Sequence, residues 1–595
     1  LTLSILDWSI IVIYIAVVLV VGLAYTRRAQ RSTQEYFLSG RSLPWWLAGT
    51  SMVATSFSVD TPLLVTGWTR TGGIQANWVW WGLGVSGLFS VFALSRLWRR
   101  ASVVTDVELT ELRYSGRSAR WLRAFRGFWL AVPVNTIAMA MVLRGMGKVA
   151  KAVTGLPEEV TLPIAGGVVF VCTYASGLWG VIFTDFIEYI IAQGSAIIFA
   201  FFAVRHVGGL SSLVKSVSHD LVTVFPHPPV HTSIWEAGFW TPAVVALAVY
   251  AFVQWWAYLN SDGGGKIIQR LSASKDEQHA MWGLLWFNVA HYVIRTWPWI
   301  LCALVSLIVY PVIADPEMAY PQLMMDIMPA GWLGLMIAGF VAAFMSTINS
   351  QLNWGASYVI NDIYRRFVTK DASDRHYVVA SRVTVLVLSA LTVLVALFID
   401  SVRAAFMFIL AFGAGTGAVY ILRWFWWRIN AWTEISAMIA STVISSTLYL
   451  LNKYADAGVS YPAIITITAF GSAVVWLAVT YATPPVPLQQ LAEFCRRTRP
   501  WGAWKPVRAT LDTATVTAAE GEVARVIAWC VMGTVGLFAL MFGIGKVLLG
   551  SPWLGAALLV VAAACSAALI LTGGLRAEAG QRQRAMGARA SRGTV

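Results

Sequence analysis

Uncharged apolar runs of about twenty residues, the length that crosses a bilayer as helix, recur along this chain from Asp7 to Gly574. Backbone in hydrocarbon must satisfy its own polar groups, so repeated runs of that length fold as a bundle of spanning helices. Composition agrees: of 595 residues, 58% are hydrophobic and 12% charged, about half the charge of a soluble protein. The chain reads as an all-α polytopic membrane protein. Its first run is a full span with no small-residue cleavage site behind it, so it reads as a helix of the protein and not as a cleaved signal.

Roughly fifteen spans are expected, near 7–25, 45–68, 76–98, 122–154, 159–176, 178–204, 239–260, 279–311, 331–360, 377–399, 403–424, 431–451, 460–482, 523–549 and 552–573. Alternate connections are basic: Arg27, Arg28 and Arg31 follow the first span, Arg99, Arg100, Arg113, Arg117 and Arg120 the third, Arg365, Arg366 and Lys370 the ninth. The positive-inside rule then puts the N-terminus outside and the C-terminus in the cytoplasm of a plasma (inner) membrane. The expected organisation is an N-terminal helix in 1–30, a helical core in 31–430, two further helices in 431–482, a cytoplasmic linker in 483–522, two C-terminal helices in 523–575 and a basic tail in 576–595. The Pro-rich linker carries one short amphipathic helix around Leu488–Arg497.

No Walker loop, dinucleotide fingerprint or His/Cys cluster is present, so nothing points to an enzyme or to nucleic acid. The net charge of +14 is spread over short loops. Cys172, Cys302, Cys530 and Cys565 fall in apolar spans and Cys495 in the linker, without metal spacing, and read as inert thiols.

Two spans look interrupted. The second, AGTSMVATSFSVDTPLLVTGW (48–68), carries Thr55, Ser56, Ser58, Asp60, Thr61 and Pro62 at its centre, and the proline opposes regular helix before it. The seventh ends QWWAYLNSDGGGKIIQRL (254–271), where each of three successive glycines costs about 1 kcal/mol in a helix interior. Secondary transporters place their sites at such paired breaks in two repeats, and here spans 2–6 and 7–11 form two sets of five. The alternative is a kinked helix and an ordinary loop.

The ninth span adds Ala343, Ser346 and Thr347 at i, i+3 and i+4, one helical face with a carbonyl and two hydroxyls. Ala54 and Phe57 lie three apart at the first break, where unwinding frees carbonyls. Five neutral oxygens suit a monovalent cation better than calcium. Helix-to-helix glue is the other use of such hydroxyls.

STINSQLNWGASYVINDIYRRF (346–367), SGLWGVIFTDFIEYI (176–190), YFLSGRSLPWW (36–46) and KIIQRLSASK (266–275) resemble the sodium/solute symporter family, and GAGTGAVYILRWFWWRINAWTEISAM (413–438) resembles a bacterial branch with an extended C-terminus. The resemblance covers about residues 5–480. It implies a LeuT-type inverted repeat of five plus five helices and sodium-driven symport. Its sodium site maps onto Ala54, Phe57, Ala343, Ser346 and Thr347. A second sodium site found in some members maps onto Asp185, Ser346, Asn349 and Ser350, with Asn349 standing where those members have a hydroxyl.

Solute groups in the family come from the breaks and the helices facing them: here Ser58, Asp60, Thr61, Asn260, Gly264 and Lys266, with Arg295 on the eighth span and Trp78 as a stacking surface. Trp80, Trp81, Trp255 and Trp256 could stack likewise. Arg295 needs a partner, either Asp60 or a solute carboxylate. The reading favours a small zwitterionic or anionic solute such as an amino acid or carboxylate. The alternatives are a sugar-type sodium symporter, proton coupling through Asp60, Asp185 or Glu188, and a sensor. About twenty residues follow the last span, too few for a fused kinase, and no channel pattern stands out. The expected partners are sodium, the solute and the lipid bilayer, with the chain acting as a monomer.

Overall fold

Within hydrocarbon each backbone N–H needs a carbonyl of its own chain, and every spanning segment folds as helix. The computed structural model describes residues 3–29, 39–103, 105–173, 178–229, 231–399, 401–511 and 523–575; the basic tail and linker residues 512–522 lie outside them. Among the described residues, eleven helices are long and apolar enough to cross a membrane. Helices also stand at the remaining expected spans: Ile5–Ala29, the pair Trp45–Ser56 and Asp60–Gly72, Glu158–Thr173, and the apolar stretch Pro242–Ala257.

Both expected interruptions are real breaks. The second span stops at Ser56, Phe57 turns extended (φ −90°, ψ 104°), and a new helix starts at Asp60. Pro62 then sits in the first turn of that helix, where its missing N–H has no intrahelical partner to lose. The seventh span stops at Ala257 and resumes at Gly265; between them Gly263 (φ 117°) and Gly264 (φ 74°) take the left-handed backbone that side chains disfavour.

A third interruption departs from the single helix expected at 403–424. Val402–Phe412 and Gly417–Phe425 are separated by a turn at 413–416. The cause is close approach to the second break. A Cβ on Gly417 would lie 2.3 Å from the Tyr258 carbonyl oxygen, and Ser261 donates to the Gly417 carbonyl at 3.0 Å.

Buried charges fix the second break on one side. Arg423 pairs with Asp262 at 2.6 Å and with Glu434 at 3.3 Å, and Arg126 joins Glu434 (3.3 Å) to Asp106 (2.8 Å). All five groups are buried, so each depends on its partners to stay charged out of water. The N-terminal helix positions the ninth span: Asp7 Oδ1 accepts from the backbone N–H groups of Gly331 and Gly334, both at 2.7 Å, at the start of Trp332–Ser357. The helices Val523–Leu548 and Pro552–Leu571 form a hairpin beside the core. The Trp297 indole donates to the Met541 carbonyl at 2.8 Å.

Candidate functional site

Breaking a helix frees its last carbonyls. At the first break three successive carbonyls are each taken by a donor from a different helix. Lys266 Nζ, in the first turn after the second break, donates to Thr55 at 2.8 Å. Arg295 donates to Ser56 at 2.9 Å, and Thr347 Oγ1, on Trp332–Ser357, donates to Phe57 at 3.1 Å. Two cations and a hydroxyl thus meet the negative end of the Trp45–Ser56 helix. The Ala54 carbonyl accepts the Phe57 N–H at 3.0 Å. Ala54, Phe57, Ala343, Ser346 and Thr347 are all buried.

Adjacent hydroxyls on the ninth span face different partners. Thr347 points at the break, as the spacing suggested, whereas Ser346 donates to Asp185 Oδ1 at 2.5 Å. Asp185 is satisfied from three sides. Ser51 donates to Oδ2 at 2.5 Å, and Arg270 lies 3.4 Å from the same oxygen. The Arg270 guanidinium also donates to Ser51 Oγ at 3.0 Å and to Ser350 Oγ at 3.1 Å. Asp185, Ser51 and Ser350 therefore hold a guanidinium, and Ser346 meets it only through Asp185; Asn349, on the same helix as Ser346, is half-buried. Sequence reasoning passed over Arg270, although it lies one turn beyond Lys266 on the same helix face.

Between the two breaks is a cavity of about 290 Å³. Ser58, Asp60, Thr61, Asn260, Gly264 and Lys266 line it, as expected, together with Tyr258, His291, Gln351 and Trp354, which were not anticipated. Six side-chain atoms on residues of that wall, Ser58 Oγ, Asp60 Oδ1, Trp68 Nε1, Asn135 Oδ1, Gln351 Oε1 and Trp354 Nε1, are buried with no hydrogen-bond partner among the described residues. Buried polar atoms are normally paired, so these are the atoms a ligand would satisfy by turning them towards itself. Trp80, stacked on Tyr292 at 5.6 Å, supplies an aromatic wall.

Two expected solute residues are not on that wall. Trp78 gives its indole N–H to the Val224 carbonyl at 2.9 Å and stacks on Phe538 of the C-terminal hairpin at 5.3 Å. Arg295 is fully buried behind the break. Its partners are Ser56, His291 Nδ1 at 2.7 Å, and the rings of Phe57 (4.6 Å) and Trp299 (5.0 Å), rather than Asp60 or the cavity. The physical reason is a π-turn at Ala290–Ile294, in which the Arg295 N–H reaches back five residues to Ala290. The wider turn changes which face of the helix Arg295 occupies.

Known proteins share this design. The model of the sodium:solute symporter family matches residues 36–441. A sodium/glucose cotransporter of Vibrio parahaemolyticus is 25% identical over 465 residues, 74% of this chain and 84% of that protein. A human sodium/myo-inositol cotransporter 2 is 25% identical over 495 residues, 73% of this chain and 69% of its own. The substrate-bound, outward-open structure of a Na+-coupled sialic acid symporter superposes with a TM-score of 0.66 at 19% identity, covering 81% of this chain and 99% of that one. The fold is that of the LeuT-type inverted-repeat transporters. The chain belongs to the sodium:solute symporter family. It is a multi-pass membrane transporter that couples solute movement to sodium, and not an enzyme.

Proposed function

We propose that this chain imports a polyhydroxylated solute of the sugar class with one sodium ion per cycle, by alternating access. The observation that carries the solute class is the set of unpartnered polar atoms in the cavity. Acceptors on Asp60, Asn135 and Gln351, donors on Trp68 and Trp354, and the Ser58 hydroxyl all belong to residues that line it. Hydroxyl groups both donate and accept, so a polyol can pair with both kinds, while Trp80 covers an apolar ring face. The sodium/glucose and sodium/myo-inositol cotransporters similar to this chain support the same class. The amino-acid or carboxylate reading rested on Arg295, whose fork is given to Ser56 and His291. Lys266, still on the cavity wall, favours a sugar acid as the second reading.

The sodium shell consists of the carbonyls of Ala54, Phe57 and Ala343 with the hydroxyls of Ser346 and Thr347. Ser346 gives its proton to Asp185, which leaves its lone pairs to an ion. Thr347 serves once its hydroxyl rotates and the ion takes the place of the proton now shared with Phe57. Of the second-site group, Asp185 and Ser350 are taken by the Arg270 guanidinium, a cation already tethered in the chain. The N-terminus faces outward, by the charge distribution of the connections.

Uptake into proteoliposomes under an inward sodium gradient tests this reading, with a hexose, myo-inositol, a sugar acid and an unhydroxylated amino acid offered separately. Concentrative uptake of a hydroxylated member, lost when potassium replaces sodium, is the expected result. Uptake of the amino acid alone would contradict it.

A further inference from the structure

A side chain just past the second break reaches a carbonyl of the first. Lys266 is the second residue of the helix that restarts after Gly263 and Gly264, and its ammonium bonds the Thr55 carbonyl at 2.8 Å. Thr55 sits between Ala54 and Phe57, whose carbonyls belong to the proposed sodium shell. Its carbonyl is not itself in that shell, so its direction restrains the peptides on either side. A freed carbonyl at a helix end has several orientations open to it, and a fixed cationic donor selects one. The same lysine lines the solute cavity beside Asp60.

We propose that Lys266 is a positioning residue of the sodium site, which ties the backbone of the second break to the carbonyls that receive the ion at the first. This inference rests on the sodium-shell reading and adds a residue that touches neither the ion nor its ligand atoms. A passive neighbour has a different signature. Lys266 is a positive charge near a site for a positive ion, so Coulomb repulsion alone makes its removal tighten sodium binding. Positioning makes its removal weaken binding.

Equilibrium binding of radioactive sodium to the purified full chain in detergent separates these by sign. Lys266→Met, which keeps the stem and removes the donor, is expected to weaken sodium binding about five-fold, the equivalent of about 1 kcal/mol for one lost hydrogen bond. Lys266→Arg, which keeps a cationic donor, is expected to stay within about two-fold of wild type, on the scale of that same bond. If Lys266→Met does not accumulate as folded protein, Lys266→Gln takes its place, since its donor is too short to reach the carbonyl and the same loss is expected. Unchanged or tighter sodium binding in the folded Met or Gln variant overturns the proposal and leaves the sodium site standing. Failure of the wild-type chain to bind sodium overturns the sodium-shell reading itself.

Discussion

Thr347 gives its hydroxyl proton to the backbone carbonyl of Phe57 across 3.1 Å, joining residues 290 positions apart in the chain. One partner lies on an unbroken buried helix and the other on the unwound centre of a broken one. The contact brings a side-chain oxygen to a carbonyl that its own helix no longer uses. Lys266 and Arg295 treat the two preceding carbonyls in the same way. These carbonyls of the broken span are therefore each met by a side chain of another helix, that of Phe57 by the ninth span.

Arg270 sets the expected stoichiometry. With its guanidinium held by Asp185, Ser51 and Ser350, one sodium ion should accompany each solute. At about 100 mV and a tenfold gradient one ion supplies roughly 3.7 kcal/mol, on the order of 500-fold accumulation of a neutral solute. Reversal-potential measurements in proteoliposomes should return a one-to-one ratio. A two-to-one ratio would show that a second ion enters beside Arg270.

Asp60 presents an unpartnered oxygen to the cavity, so Asp60→Asn should weaken solute binding roughly ten-fold or more, the value of a hydrogen bond to a charged acceptor. Sodium binding measured without solute should move much less. Equal losses in both would place Asp60 in the sodium shell instead.

For Arg295 the expected phenotype is stability. Arg295→Met leaves the buried Ser56 carbonyl without its donor, a cost of about 1–3 kcal/mol, and removes the cation that lies against the rings of Phe57 and Trp299. Thermal melting in detergent should fall while the solute half-saturation constant stays within about two-fold, since Arg295 itself is not on the cavity wall. Unchanged melting with solute affinity lost would return Arg295 to the solute site.

Cys495, in the linker helix Leu488–Thr498, is buried, and burial pushes its thiol up to about 12 against the pull of Arg113 and Arg508. The thiolate is the reactive form, so at pH 8 it should react with maleimide about three orders of magnitude more slowly than an ordinary thiol. Labelling should rise about tenfold for each pH unit above 8, as the thiolate fraction does below its pKa. Fast labelling at pH 8 would mean that the linker helix lifts away from the core.

The two breaks were legible because glycine, proline and a dense polar run are incompatible with a continuous apolar helix. The direction of Thr347 was legible because i, i+3 and i+4 positions share a face in any α-helix. Arg295 was expected to need Asp60 or a solute carboxylate, but its partners are the Ser56 carbonyl, freed only by the break, and His291 one turn before it. Trp78 was misplaced because nothing local to it reveals that Phe538, some 460 residues later, covers its ring. The turn at 413–416 follows from contact with Tyr258, and Arg270 from contacts with Asp185 and Ser350. Those are tertiary relationships that no local pattern carries.

Sodium dependence across a Thr347 series tests the central claim most directly, because backbone ligands cannot be removed by substitution and this hydroxyl can. Thr347→Ser keeps the oxygen and should stay near wild type. Thr347→Ala and the isosteric Thr347→Val should each raise the half-saturating sodium concentration at least several-fold, a loss of roughly 1–2 kcal/mol. Solute affinity should recover at saturating sodium, since the two sites are coupled but distinct. If Thr347→Val leaves the sodium dependence untouched and only lowers stability in detergent, the hydroxyl joins helices and does not ligate sodium.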